Sequence, residues 1–277
     1  MSNIKAADVA KLRKQTAAGM MDCKQALTES NGDFEKAIEI LRKKGAKLAA
    51  KRADKDATEG YIMAQTNEEN SFGVLVMINC ETDFVGKSEE FVNFVKTVAS
   101  LALKNKATSL EAVRGLKIED RTVEQALSDL IGKTGEKMEF DSYEFIEAPF
   151  VSSYNHLGNK IGTLVGLNLK TADVAVKGHD MAMQVAAMNP VAIDKGDVTK
   201  EMIDKEIEIG MELARQEGKP ENMLEKIAQG RLQKFFKEST LLNQEFIKDS
   251  KKTVGNYLKE SDKNLTVVKF YRFGLGA

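Results

Sequence analysis

The 277-residue sequence predicts an α+β protein: a small three-helix unit, a core made of two copies of one α+β fold, and a protruding antiparallel helical hairpin. Three observations carry this. Apolar residues recur at helical spacing over residues 4–45, then give way to β-branched and aromatic runs with hairpin punctuation. The segment GVLVMIN (73–79) is answered by GTLVGLN (162–168), each preceded by an apolar strand pattern and followed by a helix pattern. Residues 198–236 read as two helical stripes separated only by EGKP (217–220).

Val9 and Leu12 mark the first helix, and Met20, Cys23 and Leu27 stripe the second, after TAAGMMD. The third starts from Asp33, an N-cap following the Asn31-Gly32 turn. It carries Phe34, Ala37, Ile38 and Leu41 at i, i+3, i+4 and i+7. Gly45 is the expected stop, because glycine takes the position after a helix end without steric cost. The charged, Ala-rich stretch 46–58 then reads as a linker or frayed helix, so the first unit and its linker span 1–55. Three helices of this size make a core near the lower limit of independent stability.

Residues 60–66 and 71–80 read as strands joined by NEEN (67–70). Ser88 suits the N-cap of the next helix, and Glu89 and Glu90 suit the positive end of its dipole. Phe91, Val95, Val98 and Ala102 form the apolar face of that helix. A helical insert (about 107–137) completes a first core unit at 56–142. The first part of the second copy spans 143–197, and its helix sets Met181, Val185 and Met188 on one face. In the hairpin, Ile203, Ile207, Met211 and Ala214 stripe one arm and Leu224, Ile227, Ala228 and Leu232 the other. The Gly and Pro of EGKP stand at their usual end and start positions. At a rise of 1.5 Å per residue the arms are about 30 Å and 25 Å long. Such a hairpin packs on its own core or projects to meet a partner, a second copy of the chain included. Residues 237–277 return to the core and form a C-terminal module, whose tail KNLTVVKFYRFGLGA reads as a strand with a short end.

A hydrophobic fraction of 42% with 30% charged residues is ordinary for a globular protein. No stretch approaches the roughly 20 apolar residues that span a bilayer, and the start MSNIKAADVAKLRKQ lacks the apolar core of a signal peptide. Cys23 and Cys80 are too few for a disulfide framework. These features predict a cytoplasmic protein with reduced thiols and no membrane partner. The net charge of −1 hides an asymmetry, since residues 1–55 hold 13 Lys and Arg against 7 Asp and Glu. Most of that surplus lies in RKKGAKLAAKRADK (42–55). A basic run can contact phosphates, but this one has no interleaved aromatics on which bases could stack. It reads as a solvated helix end and linker, and no nucleic-acid partner is expected.

Gly86-Lys87-Ser88 and Gly132-Lys133-Thr134 resemble the end of a P-loop, G-x-x-x-x-G-K-[ST], whose backbone amides wrap phosphates. The positions of its first glycine hold Glu81 and Leu127, so both fail, and Glu81 would repel phosphate. There is no GxGxxG fingerprint. His156 and His179 lack metal-site spacing. His179 falls in a helix pattern and reads as structural, whereas His156 lies in the Gly-flanked turn YNHLGNKIG, where a contact and a structural role both fit. No nucleophile, acid/base pair or oxyanion hole emerges, so no catalytic residue, cofactor or metal is expected.

The segment between the first repeated strand and its helix is ETDFVGKS, whereas the second copy has KTADVAVKG. Thr82 and Thr171 match, but Asp173 stands where the first copy has Phe84. A core aromatic of a repeated fold would have an apolar counterpart. Asp83 and Phe84 therefore read as a surface device.

LRKQTAAGMMDCKQALTESNGDFEKAIEILRKKG resembles the ubiquitin-associated (UBA)-like N-terminal domain of the bacterial elongation factor Ts family. NCETDFV resembles that family's signature turn, and GKPENMLEKIAQGRLQKFFKESTLLNQEF its helical hairpin and the segment beyond. The resemblance spans nearly the whole chain, and MMDCKQAL with TDFV at this separation is highly specific. It implies a guanine-nucleotide exchange factor for elongation factor Tu, with no active site of its own. In this family the turn, here Thr82, Asp83, Phe84 and Val85, enters the partner near its nucleotide-bound magnesium. The N-terminal domain and C-terminal module grip the partner's GTPase domain, and the second core copy touches a neighbouring domain. Met20, Met21 and Lys24 in the N-terminal domain and His156 in the second copy are further candidate contacts. Two rival readings make different predictions. A P-loop-like enzyme would bind nucleotide by itself, and a UBA-type scaffolding module would act through residues 1–50 alone.

Overall fold

Val9 and Leu12 of α1 (Ala6–Thr16), Cys23, Ala26 and Leu27 of α2 (Met20–Glu29) and Ala37 of α3 (Phe34–Lys51) bury together in a first apolar cluster. The computed structural model describes residues 4–16 and 18–276. Asp33 opens α3 as expected, with its carboxylate accepting from Lys36 N at 3.2 Å. Met20 does not belong to the buried stripe of α2. It stands in the first turn of the helix, half exposed, while Cys23 and Leu27 face inward.

The first core unit follows. Strands β1 (Glu59–Thr66) and β2 (Phe72–Cys80) form an antiparallel hairpin, and β2 leads through a short helix α4 (Asp83–Gly86) into α5 (Glu89–Lys104). The insert consists of α6 (Leu110–Gly115), a two-residue hairpin of β3 (Lys117–Ile118) and β4 (Arg121–Thr122), and α7 (Val123–Thr134). Strand β5 (Met138–Glu147) then pairs with β2, giving the order β1-β2-β5. A division at 142/143 would cut this strand, since Tyr143–Glu147 continue the ladder with β2. Residues of β2 alternate between two cores. Val74, Val76 and Ile78 meet Phe91, Val95 and Val98 of α5, while Leu75 and Met77 face the other way.

Gly45 does not end α3, which runs six residues further to Lys51. It is buried against α7, where a Cβ would lie 3.0 Å from Ser128 O, and Gly132 of α7 approaches it in return. A glycine inside a helix lets two backbones close on each other, and that contact outweighs its weak helix propensity.

The second core unit repeats the order of elements. Strands β6 (Phe150–Asn155) and β7 (Ile161–Leu167) form a hairpin followed by α8 (Val174–Met188). The insert is here the hairpin of α9 (Lys200–Gln216) and α10 (Glu221–Ser239), then β8 (Glu245–Phe246), β9 (Asp249–Thr253) and α11 (Val254–Lys259). The tail becomes β10 (Val267–Gly274), the third strand of a sheet ordered β10-β7-β6. Met181 and Val185 of α8 are buried, but Met188 in its last turn is exposed. Buried Asp180 accepts from Lys248 Nζ at 2.6 Å and from Tyr257 Oη, and buried Gln184 accepts from Ile247 N at 2.9 Å. These bonds tie the turn between β8 and β9, and α11, to α8.

The arms of the hairpin reverse the expected order of length. α9 has 17 residues and α10 has 19, because α10 continues past 236 to Ser239. Leu232 and Phe236 keep helical spacing and bury with Ala192 and Val198 at the hairpin's base, which carries the helix further. Towards the tip, Ile209, Leu213 and Met223 are exposed.

The two sheets pack face to face. Ile62, Leu75 and Ile146 of one meet Val151 and Leu164 of the other. A Cβ at Gly162 would fall 2.5 Å from Ile62 Cγ2, so glycine here admits the facing side chain rather than supplying a turn. The Asn155 side chain covers the edge of β1, donating to Ala64 O at 2.9 Å and accepting from Ala64 N at 2.8 Å. Among the described residues no helix is long and apolar enough to cross a membrane.

Candidate functional site

The segment between β2 and α5 is a single helical turn rather than an open loop. Thr82 caps it in an extended conformation, with its hydroxyl accepting from Val85 N at 3.4 Å. Ser88 closes it and opens the next helix. Its hydroxyl donates to Val85 O at 2.8 Å and accepts from Phe91 N at 3.4 Å. Two adjacent positions anchor the turn. Val85 packs against the core beneath α5. Gly86 is buried on the start of β1, where a Cβ would lie 3.3 Å from Cys80 Sγ and 3.4 Å from the Gly60 backbone. With Val85 and Gly86 turned inward, helical geometry turns Phe84 outward. Its side chain is 85% exposed, an unusual state for so large an apolar group.

Asp83 pairs with Lys87 one turn on, at 2.6 Å. Lys87 first, and the Lys160 ammonium more weakly, hold the Asp83 carboxyl below the usual carboxylate range, and Asp83 raises Lys87 in return. Asp83 is therefore a full negative charge beside Phe84 throughout the neutral range. Thr82 is held from outside the turn: Glu136 Oε1 accepts from its hydroxyl at 2.7 Å and Oε2 from its N–H at 3.1 Å. Glu81 accepts from Lys137 N at 2.5 Å and from Arg52 Nη1 at 2.8 Å to each oxygen. The Lys137 amide and the Arg52 guanidinium lower its pKa in that order.

Cys80 lies under this turn, fully buried, donating to Thr82 O at 3.2 Å. Burial first, then the charges of Glu136 and Glu59, push its thiol up to about 12. Cys23, also buried, is raised by burial. Since the thiolate is the reactive form, both cysteines should resist Ellman's reagent at pH 8 in the native protein and react once it is unfolded. Rapid labelling of Cys80 in the folded state would contradict this geometry.

The remaining candidates are distributed. Met20, Met21 and Lys24 project from the first turns of α2 on the small helical unit, Met21 being 73% exposed. His156 is exposed in the loop after β6, its Nδ1 at 3.0 Å from Tyr154 Oη. His179 on α8 is exposed too and meets the Tyr154 ring edge-on at 5.8 Å, so the two histidines converge on one tyrosine. Asn159 Nδ2 donates to Ile62 O at 2.9 Å and Lys160 pairs with Glu59 at 3.0 Å. These contacts bring the His156 loop onto β1, the strand that also carries α4. In that loop Leu157 is 92% exposed, a feature that a lone leucine between histidine and glycine does not announce in sequence. Glu136 and Arg52 were equally illegible, because each reaches residues 81–82 from a distant part of the chain.

Both Gly-Lys-Ser/Thr triplets have structural partners. Gly86 lies on Gly60, Lys87 pairs with Asp83 and Ser88 caps α5. Gly132 packs on Gly45, Lys133 pairs with Glu90, and Thr134 donates to Leu130 O at 2.9 Å. Among the described residues, no three or more His, Cys, Asp or Glu are grouped to hold a metal ion.

Comparison with known proteins gives one answer. The family model described as "Elongation factor TS" matches residues 81–277. An elongation factor Ts of Christiangramia forsetii is 50% identical over 279 residues, covering 100% of both chains. That of Amoebophilus asiaticus is 49% identical, covering 99% of each chain, and that of Prosthecochloris aestuarii 44% identical, covering 100% of each. With most of its length matched by the family model and whole relatives about half identical to it, the chain belongs to the elongation factor Ts family.

Proposed function

We propose that this protein is a guanine-nucleotide exchange factor for elongation factor Tu in the cytoplasm, and that it works without an active site. The observation that carries the reading is Phe84, 85% exposed on a helical turn anchored on both sides. A rigid turn presenting an apolar ring beside a carboxylate is suited to enter another protein's site. Magnesium at a bound nucleotide needs near-ideal octahedral geometry. A wedge that shifts nearby elements removes part of the charge neutralisation that holds GDP. Burial of Phe84 in the partner offsets the distortion, by roughly 1.5–3 kcal/mol for such a side chain. Asp83 adds hydrogen bonds or repulsion beside the metal. Thr82 and Val85 hold the pair in place.

Met20, Met21 and Lys24 on the small helical unit, with His156 on the second core unit, are proposed as the grip that keeps the partner bound. Linkage sets the cycle: the factor weakens nucleotide binding by the ratio that nucleotide weakens the factor's binding, so GTP arrival drives release.

The test is the release rate of labelled GDP from elongation factor Tu with and without this protein. Strong acceleration is expected, and no acceleration would overturn the proposal. A companion measurement is calorimetric titration of the purified chain with GDP and GTP. No binding is expected, since neither Gly-Lys triplet can cradle phosphate. Micromolar binding would instead favour a nucleotide-dependent enzyme.

A further inference from the structure

We propose that Glu136 is a positioning residue for the exchange turn: it holds Thr82 so that Phe84 is presented in one fixed orientation. The inference rests on the exchange reading above and adds a residue outside the turn. Both carboxylate oxygens of Glu136 are taken by Thr82, one by the hydroxyl at 2.7 Å and one by the N–H at 3.1 Å. The same hydroxyl accepts from Val85 N. A hydroxyl has one proton, so giving it to Glu136 leaves the oxygen lone pairs free to cap the turn. The carboxylate thereby sets the direction of the cap as well as the place of the residue.

The next residue completes a clasp. Lys137 N donates to Glu81 at 2.5 Å, so the end of β2 and the junction of α7 with β5 each offer a carboxylate to the other's backbone. Such charge-assisted bonds are the stronger class of hydrogen bond. The second unit ties its matching turn differently. Thr171 donates to Asp173 two residues on, at 2.9 Å, and Asp173 accepts from Ser261 Oγ, between α11 and β10, at 2.5 Å. What the first unit has and the second lacks is a carboxylate from that junction taking both the hydroxyl and the N–H of the threonine, and it goes with the unit that presents the exposed aromatic. A turn with only its two ends fixed to the core could rock. A bidentate carboxylate at the cap removes that freedom before the partner is met, which is when rigidity favours the open nucleotide site.

The experiment compares wild type, Glu136→Ala and Glu136→Gln, measuring GDP release at saturating factor, the half-saturating concentration and the melting temperature. For Glu136→Ala the maximal release rate should fall about ten- to a hundredfold while half-saturation moves by less than about threefold, the signature of lost positioning rather than lost binding. Glu136→Gln keeps a carbonyl acceptor for one Thr82 donor and should recover part of the rate. Should Glu136→Ala not fold, Glu136→Gln decides: having lost an acceptor for one of the two Thr82 donors, it must still fall below wild type in maximal rate at nearly unchanged half-saturation. A maximal rate equal to wild type, or a fall matched by an equal rise in half-saturation, overturns the positioning role while leaving the exchange reading intact. If wild type itself does not accelerate release, the exchange reading fails and this inference fails with it.

Discussion

Replacing Asp83 and Phe84 together by alanine should leave a folded protein that still binds elongation factor Tu but releases GDP far more slowly. Phe84 gives up almost no buried surface on replacement, being 85% exposed, and the anchoring of the turn belongs to Thr82, Val85 and Gly86. The melting temperature should stay within about 3 °C of the parent, as for surface substitutions in a chain of this size. Burying a phenylalanine side chain is worth about 1.5–3 kcal/mol. If that is gained only when the nucleotide site opens, its loss slows release roughly ten- to a hundredfold. The grip elsewhere keeps the complex together, so affinity for nucleotide-free partner should fall by less. A variant that unfolds would show Phe84 to be a core residue after all. One that folds and drives release at the full rate would remove the turn from the mechanism.

The largest effect on stability is expected between the two sheets. Leu164 is fully buried, and its Cδ1 lies 2.6 Å from where a Cβ on Gly73 would stand. Leu164→Ala removes the side chain that fills the space above Gly73 and should cost about 2–5 kcal/mol. Gly73→Ala alone should also destabilise, since the new methyl meets Leu164 and, at 2.9 Å, Val151 Cγ1. Combined, the two changes should cost clearly less than their sum, because the methyl enters the cavity left by the leucine. Denaturant midpoints of the four proteins decide this. Strict additivity would mean that the sheets do not meet at this point.

The elements themselves were legible where the signal is local. Ser88 followed by Glu89 and Glu90 marked the start of α5, and the stripe Phe91, Val95, Val98, Ala102 marked its buried face. The repeat of GVLVMIN in GTLVGLN disclosed the duplicated core, because β2 and β7 occupy the same central place in their sheets. Asp173 opposite Phe84 pointed to Phe84 as a surface residue, since duplicated folds share a core and diverge on the outside, and its 85% exposure settled it.

Other features depended on contacts between distant parts of the chain. A glycine late in a helix stripe is an end signal unless another helix lies against it, and Gly45 has Gly132 there. β5 and β10 complete their sheets only after long inserts, so the bounds of the first core unit could not be read from composition. The two histidines look unrelated in sequence, yet both meet Tyr154. Glu136 comes from beyond α7, 54 residues from Thr82, and one more glutamate on a charged chain carries no local mark. By itself the sequence determined the main helices and the central strand pair of each copy, the repeat, the family resemblance and the exposed Asp83-Phe84 pair, because each is written in neighbouring residues through periodicity, capping or direct comparison. Only the tertiary structure decided where α3 ends, how the sheets close and what holds the turn rigid, because those depend on groups that meet only once the chain has folded.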